Sequence, residues 1–155
     1  MSDVKDLQPY AANTEGLTGV LTDIVSTMPN PIVFKVVGYV VNAFENVTQG
    51  DVLYARSSDG QVGKAIANDT LDKAVVAGIA ETTVTAGNEV RVIVTGQVAV
   101  STSLDPGDMY FLSASSAGGL TKTPPSSAGQ YLTLVGEAGT SNQIVLKIKR
   151  PIQLR

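Results

Sequence analysis

The chain has 155 residues, of which 43% are apolar and 16% charged, with a formal net charge of −3 and neither cysteine nor histidine. Disulfides, thiolate nucleophiles, cysteine-based metal sites and serine–histidine–aspartate catalysis are therefore excluded. The length fits one domain, or two small ones sharing a core, and suffices to bury a core without covalent staples.

Residues 1–16 are polar and acidic, with Val4, Leu7 and Tyr10 as spaced apolar points beside Pro9. They read as an extended arm, ordered only where something receives it. Nothing there resembles a secretory leader, and none is expected. Leu17, Val20, Leu21, Ile24, Val25 and Met28 fall at i, i+3, i+4, i+7, i+8 and i+11, which predicts one apolar stripe on a short helix within residues 14–28. The heavy β-branching of Thr18, Val20, Thr22, Ile24 and Val25 argues for an extended strand instead. Pro29 and Pro31 end the segment either way.

From Pro31 onward the pattern is strand after strand. Ile32 to Val41 is apolar on both faces, which predicts a central or interface strand. Val52–Ala55 and Gly63–Ile66 flank the turn Ser58-Asp59-Gly60, and Ala74–Ala80 and Glu89–Thr95 flank Thr85-Ala86-Gly87-Asn88. Gln97–Thr102 follows directly. Then Tyr110–Ser113 and Leu120–Thr123 flank Ala117-Gly118-Gly119, and Gln130–Glu137 and Gln143–Lys149 flank Gly139-Thr140-Ser141-Asn142. Pro124-Pro125-Ser126-Ser127 links the two hairpins.

The chain repeats itself. Gly50-Asp51-Val52-Leu53-Tyr54 returns as Gly107-Asp108-Met109-Tyr110-Phe111. Val76-Ala77-Gly78-Ile79-Ala80 returns as Leu134-Val135-Gly136-Glu137-Ala138, and Val90-Arg91-Val92-Ile93-Val94 as Ile144-Val145-Leu146-Lys147-Ile148. A fixed period of supersecondary units marks a scaffold. The expected fold is mainly β: a small barrel or sandwich built from two similar hairpin-pair units, about residues 50–100 and 107–150. These units sit within a β-domain of residues 31–155, behind an arm of residues 1–30.

The chemistry-bearing residues are few. Asp51 and Asp108 each follow a glycine, and a carboxylate pair can serve as acid and base or hold calcium. Gly-Asp before a strand is more simply a turn device, its carboxylate capping local N–H groups. Asp69 and Asp72 form the densest acidic cluster, without the ligand alternation of a calcium loop, and read as solvated. Gly60-Gln61-Val62-Gly63-Lys64 lacks the spacing of a phosphate cradle. Gly78 and Gly136, mid-strand in both copies, mark a bulge or close backbone approach. No metal or other cofactor is expected. Residues 1–121 carry 6 basic and 13 acidic side chains and residues 122–155 carry 5 and 1, so the C-terminal end is basic. Tyr131 is its only aromatic, so direct nucleic-acid binding is not expected. No apolar run reaches the roughly 18 residues of a spanning helix, and no membrane partner is expected.

The run from Gly50-Asp51-Val52-Leu53-Tyr54 through Val75-Val76-Ala77-Gly78-Ile79-Ala80 and Ala86-Gly87-Asn88-Glu89-Val90-Arg91-Val92 to Gly96-Gln97-Val98 resembles the head decoration, or cement, proteins of tailed bacteriophages, those similar to the lambda decoration protein. The second copy is similar to units found in phage head and tail-fibre proteins. The likeness covers about residues 31–150. It implies a homotrimer on the exterior of the virion capsid, made in the host cytoplasm and gluing neighbouring major capsid subunits. It also implies a capsid-binding arm, here Val4, Leu7, Pro9 and Tyr10. Phe34, Val36 and Tyr39, with Ile152 and Leu154, are the residues expected between copies. A tail-fibre or baseplate module for host recognition is the alternative. A carboxylate-dependent glycosidase using Asp51 and Asp108 is the remaining reading, and an enzyme is not expected.

Overall fold

The computed structural model describes residues 35–155. The helix expected within residues 14–28 lies outside the described residues, as do Val4, Leu7, Pro9, Tyr10 and Phe34.

The described chain is mainly β, as the sequence predicts, and its duplication extends to topology. The first repeat comprises β1 (Val37–Asn42), β2 (Val52–Ala55), β3 (Val62–Lys64), one helical turn α1 (Leu71–Ala74), β4 (Gly78–Ala80) and β5 (Glu89–Thr95). The second comprises β6 (Gln97–Ala99), β7 (Met109–Leu112), β8 (Leu120–Thr121), β9 (Tyr131–Leu132), β10 (Leu134–Thr140), β11 (Gln143–Leu146) and β12 (Ile152–Gln153). The first sheet runs β1-β5-β4-β2-β3 and the second β6-β11-β10-β7-β8, the same order position for position, while β12 pairs with β9 in a separate ribbon. Every ladder between these strands is antiparallel. Beyond them, one parallel bridge, Ala43 to Val62, brings the end of β1 against β3. The first sheet thus curls toward itself without closing, and the fold is sandwich-like rather than a closed barrel.

The strands differ from expectation in particular places. Of the central or interface strand expected over Ile32–Val41, the described part is not central: among the described residues β1 lies at the sheet edge and its ladder is to β5 alone. Two-sided apolarity reads the same for a strand buried between neighbours and for an edge left open. Within Ala74–Ala80, strand begins only at Gly78: α1 takes Ala74, and Val75–Ala77 connect helix to strand. Thr70 caps that turn, its hydroxyl accepting from the Lys73 N–H at 3.4 Å, and Lys73 pairs with Asp69 at 2.7 Å. Gln97–Ala99 is the first strand of the second repeat, and its counterpart is β1, so the topology carries the repeat upstream of both Gly-Asp turns.

Those turns are superposable in their bonding. The Gly50 N–H donates to Ala80 O at 2.9 Å, and the Gly107 N–H to Ala138 O at 2.8 Å. The return bonds, Ala80 N–H to Asp51 O and Ala138 N–H to Asp108 O, are both 2.9 Å. Gly50 and Gly107 have φ of 92° and 91°, a region where a side chain is strained. The last hairpin differs. Leu53 opposes Gly78 as Tyr110 opposes Gly136, yet Ala80 opposes Val92 whereas Ala138 opposes Ile144. Ile144 is the counterpart of Val90, since Val41 pairs with Val90 and Val98 with Ile144. The slip is therefore two residues, which leaves every side chain on its own face.

Two cores result. Ala43, Val47, Leu53, Val62, Ala80, Val90 and Val92 fill the interior of the first repeat. The opposite face of the same sheet, Val52, Tyr54, Ile79 and Ile93, joins Val98, Val100, Leu104, Tyr110, Leu112 and Ile144 of the second repeat in one cluster. The first sheet is thus covered on both sides. Among the described residues its counterpart in the second repeat is not: Met109, Phe111, Glu137 and Lys147 stand where Val52, Tyr54, Ile79 and Ile93 stand. Met109 is exposed, Phe111 half-buried, and Glu137 and Lys147 form an ion pair at 2.6 Å.

Candidate interaction surface

Among the described residues, the longest run of exposed apolar side chains lies on β1 and the residue before it. Val36 and Val37 are each 44% exposed, Tyr39 40% and Val40 58%, in one run with no charge between Lys35 and Glu45. A Cβ on Gly38 would collide with the Val92 carbonyl, so the strand lies flush on β5, and among the described residues no strand pairs along its other edge. Proteins usually blunt such an edge with lysine, proline or a bulge. Here the only such device within the strand is a register break between Val37 and Gly38. Burial raises the Tyr39 hydroxyl above its ordinary value, consistent with a ring lying along the sheet and not projecting freely. An open strand edge offers backbone hydrogen bonds to a partner, and the valines and tyrosine offer apolar area beside them.

Of the residues expected between copies, Val36 and Tyr39 lie on this run. Ile152, 61% exposed, lies on β12 in the separate ribbon. Leu154 is half-buried, its N–H donating to Gln130 O at 2.8 Å and its carbonyl accepting from Gly129 N–H at 2.9 Å. Leu154 therefore closes the β9–β12 ribbon through its backbone. Val37 and Val40 were not singled out by sequence; apolar alternation does not report which face stays uncovered.

The acidic residues are engaged locally. The Asp51 carboxylate accepts from Thr48 N–H at 2.8 Å, the turn-capping role expected of it. Burial raises its pKa, opposed by that bond and by Lys64. Asp108 and Asp105 instead share the Lys122 ammonium at 3.0 and 2.5 Å, which holds that lysine well above its usual range. Asp51 and Asp108 thus have different partners, and nothing in their bonding links them as a pair. Asp69 pairs with Lys73, and Asp72 accepts from Ser57 N–H at 3.3 Å. Among the described residues, no three acidic side chains converge in a way that could hold a metal ion, and no helix is long and apolar enough to cross a membrane. At the basic end Lys147 is paired with Glu137, while Lys149, Arg150 and Arg155 are exposed. Comparisons with protein-family models and with curated proteins find no match to this chain.

Proposed function

We propose that this chain is a virion structural protein that binds the outside of an assembled phage capsid and cements neighbouring major capsid subunits. The observation carrying the reading is the uncharged, apolar strand β1 at a sheet edge that no further strand covers among the described residues. The sequence likeness to decoration proteins supplies the partner, and the duplicated, locally satisfied β-scaffold is compatible with a role in binding. In this reading β1 meets a neighbouring copy within a homotrimer, and residues 1–16 engage the shell. Each copy that prefers the assembled shell adds its binding free energy to that state, and many such contacts act together.

The test adds the purified protein to phage heads that lack it and follows their thermal disruption. Heads gain stability on saturation, and light scattering gives the mass of a trimer for the free protein. Val40→Lys, at a 58% exposed position, leaves the folded chain within about 0.5 kcal/mol of the wild type while weakening both self-association and head stabilisation. Heads indifferent to the protein overturn the reading. Binding to host cells in place of heads favours the tail-fibre alternative.

A further inference from the structure

A cavity of about 240 Å³ opens beside α1, between the loop after β1 and Ala117 of the second repeat, with Tyr54, Glu45, Lys64, Asp69 and Lys73 on its wall. Tyr54 is only 5% exposed, and its ring meets Phe44 edge-on at 6.0 Å between centroids. One face of Phe44 carries the Arg56 guanidinium, 4.0 Å from the ring centroid and fixed by Asp59 at 2.6 Å. The Tyr54 ring is therefore locked, yet its hydroxyl has no hydrogen-bond partner among the described residues. On the cavity wall that hydroxyl can bond solvent or a ligand, unlike that of Tyr110, whose oxygen accepts from Asp105 N–H at 2.8 Å.

The surroundings define what would satisfy it. Two carboxylates and two ammonium groups line the cavity: Lys73 pairs with Asp69 at 2.7 Å, and Glu45 accepts from the Lys64 N–H at 2.6 Å. The formal charges cancel, so the site has no net pull on an ion of either sign. Donors and acceptors stand side by side, and Phe44, Ile66 and Ala117 supply apolar wall. A neutral ligand with alternating hydroxyls on its rim and C–H groups on its face matches that lining. The volume is below the roughly 300–1,000 Å³ of sites for drug-sized ligands, which limits the occupant to about one ring.

We propose that this cavity binds one pyranose ring of a saccharide, with Tyr54, Lys73 and Glu45 bonding its hydroxyls and Phe44 and Ile66 facing its C–H surface. The inference stands apart from the shell-binding reading, since it needs neither capsid nor oligomer.

The test uses the full-length ¹⁵N-labelled protein titrated with the methyl pyranosides of glucose, galactose, mannose and N-acetylglucosamine. At least one gives saturable shifts confined to the amides around Glu45, Tyr54, Lys64 and Lys73, with a Kd on the order of millimolar, as one ring in a shallow site allows. Tyr54→Phe keeps the ring and its packing and weakens binding about tenfold, the value of one hydrogen bond. Lys73→Met, at the cavity mouth, weakens it comparably and guards against a folding defect in the first variant. The proposal is overturned if no pyranoside gives saturable shifts, if both variants bind as tightly as the wild type, or if sodium acetate moves the same amides while the pyranosides do not.

Discussion

Ile79 and Glu137 occupy corresponding places in the two repeats, and replacing each tests why one copy is apolar there and the other charged. Ile79 is fully buried, opposite Ile93, in the cluster shared by the repeats. Trimming it to alanine removes buried methyl and methylene groups and leaves a cavity between two rigid sheets, at a cost of about 2–5 kcal/mol. The 121 described residues have an expected total stability of roughly 6–18 kcal/mol, so this is a large fraction of the whole. At about 3–5 °C per kcal/mol for a body of this size, Ile79→Ala lowers Tm by roughly 10 °C. Glu137→Ile breaks only an exposed ion pair worth about 0–1 kcal/mol, and a β-branched side chain suits the strand. It therefore changes stability by no more than about 1 kcal/mol. Urea unfolding followed by far-ultraviolet circular dichroism, with equal m values required, measures both. If the two substitutions cost the same, or Ile79→Ala costs less than about 1 kcal/mol, the assignment of covered and open faces is wrong.

The Asp51 carboxylate has its folded pKa raised by burial, so its ionisation opposes folding as pH rises from the unfolded value of about 3.9 through the folded one. Asp51→Asn keeps an oxygen for the Thr48 N–H and is expected to be at least as stable as wild type at pH 7, the difference vanishing below about pH 3.5; denaturant midpoints at both pH values check the sign. Thr133 is fully buried and its hydroxyl donates to the Ala74 carbonyl at 3.0 Å, tying the second repeat to α1. Thr133→Val keeps the volume but strands that carbonyl, costing about 1–3 kcal/mol and speeding amide exchange at Ala74 and Val75, as read by hydrogen-exchange NMR.

Much of the architecture was legible because strands announce themselves by period and turns by glycine. Val52–Ala55 and Glu89–Thr95 occur as read, and the Gly-Asp pairs mark equivalent turns because only glycine sits comfortably at φ near +90°. Other features had no local signal. Four residues of helix before β4 depend on a Thr70 cap and an Asp69–Lys73 pair in a stretch that reads as a solvated loop, and they run into Ala74, which reads as strand. The saccharide cavity gathers Phe44 and Glu45 from the loop after β1, Tyr54 from β2 and Lys73 from α1, residues whose spacing in sequence means nothing until the sheet brings them together. The β1 surface was half visible: its apolarity could be read, its openness could not.

By itself the order of residues settles that this protein is a duplicated β-chain without histidine or cysteine chemistry, since composition, turn glycines and hydrophobic period are local properties. It also records, in Ile79 against Glu137 and Ile93 against Lys147, that the copies diverged on one face. Which face lay inside was decided only in three dimensions. Among the described residues, the second repeat packs over one sheet and leaves the matching face of its own sheet, and the edge of β1, uncovered, because burial is a property of neighbours distant in the chain.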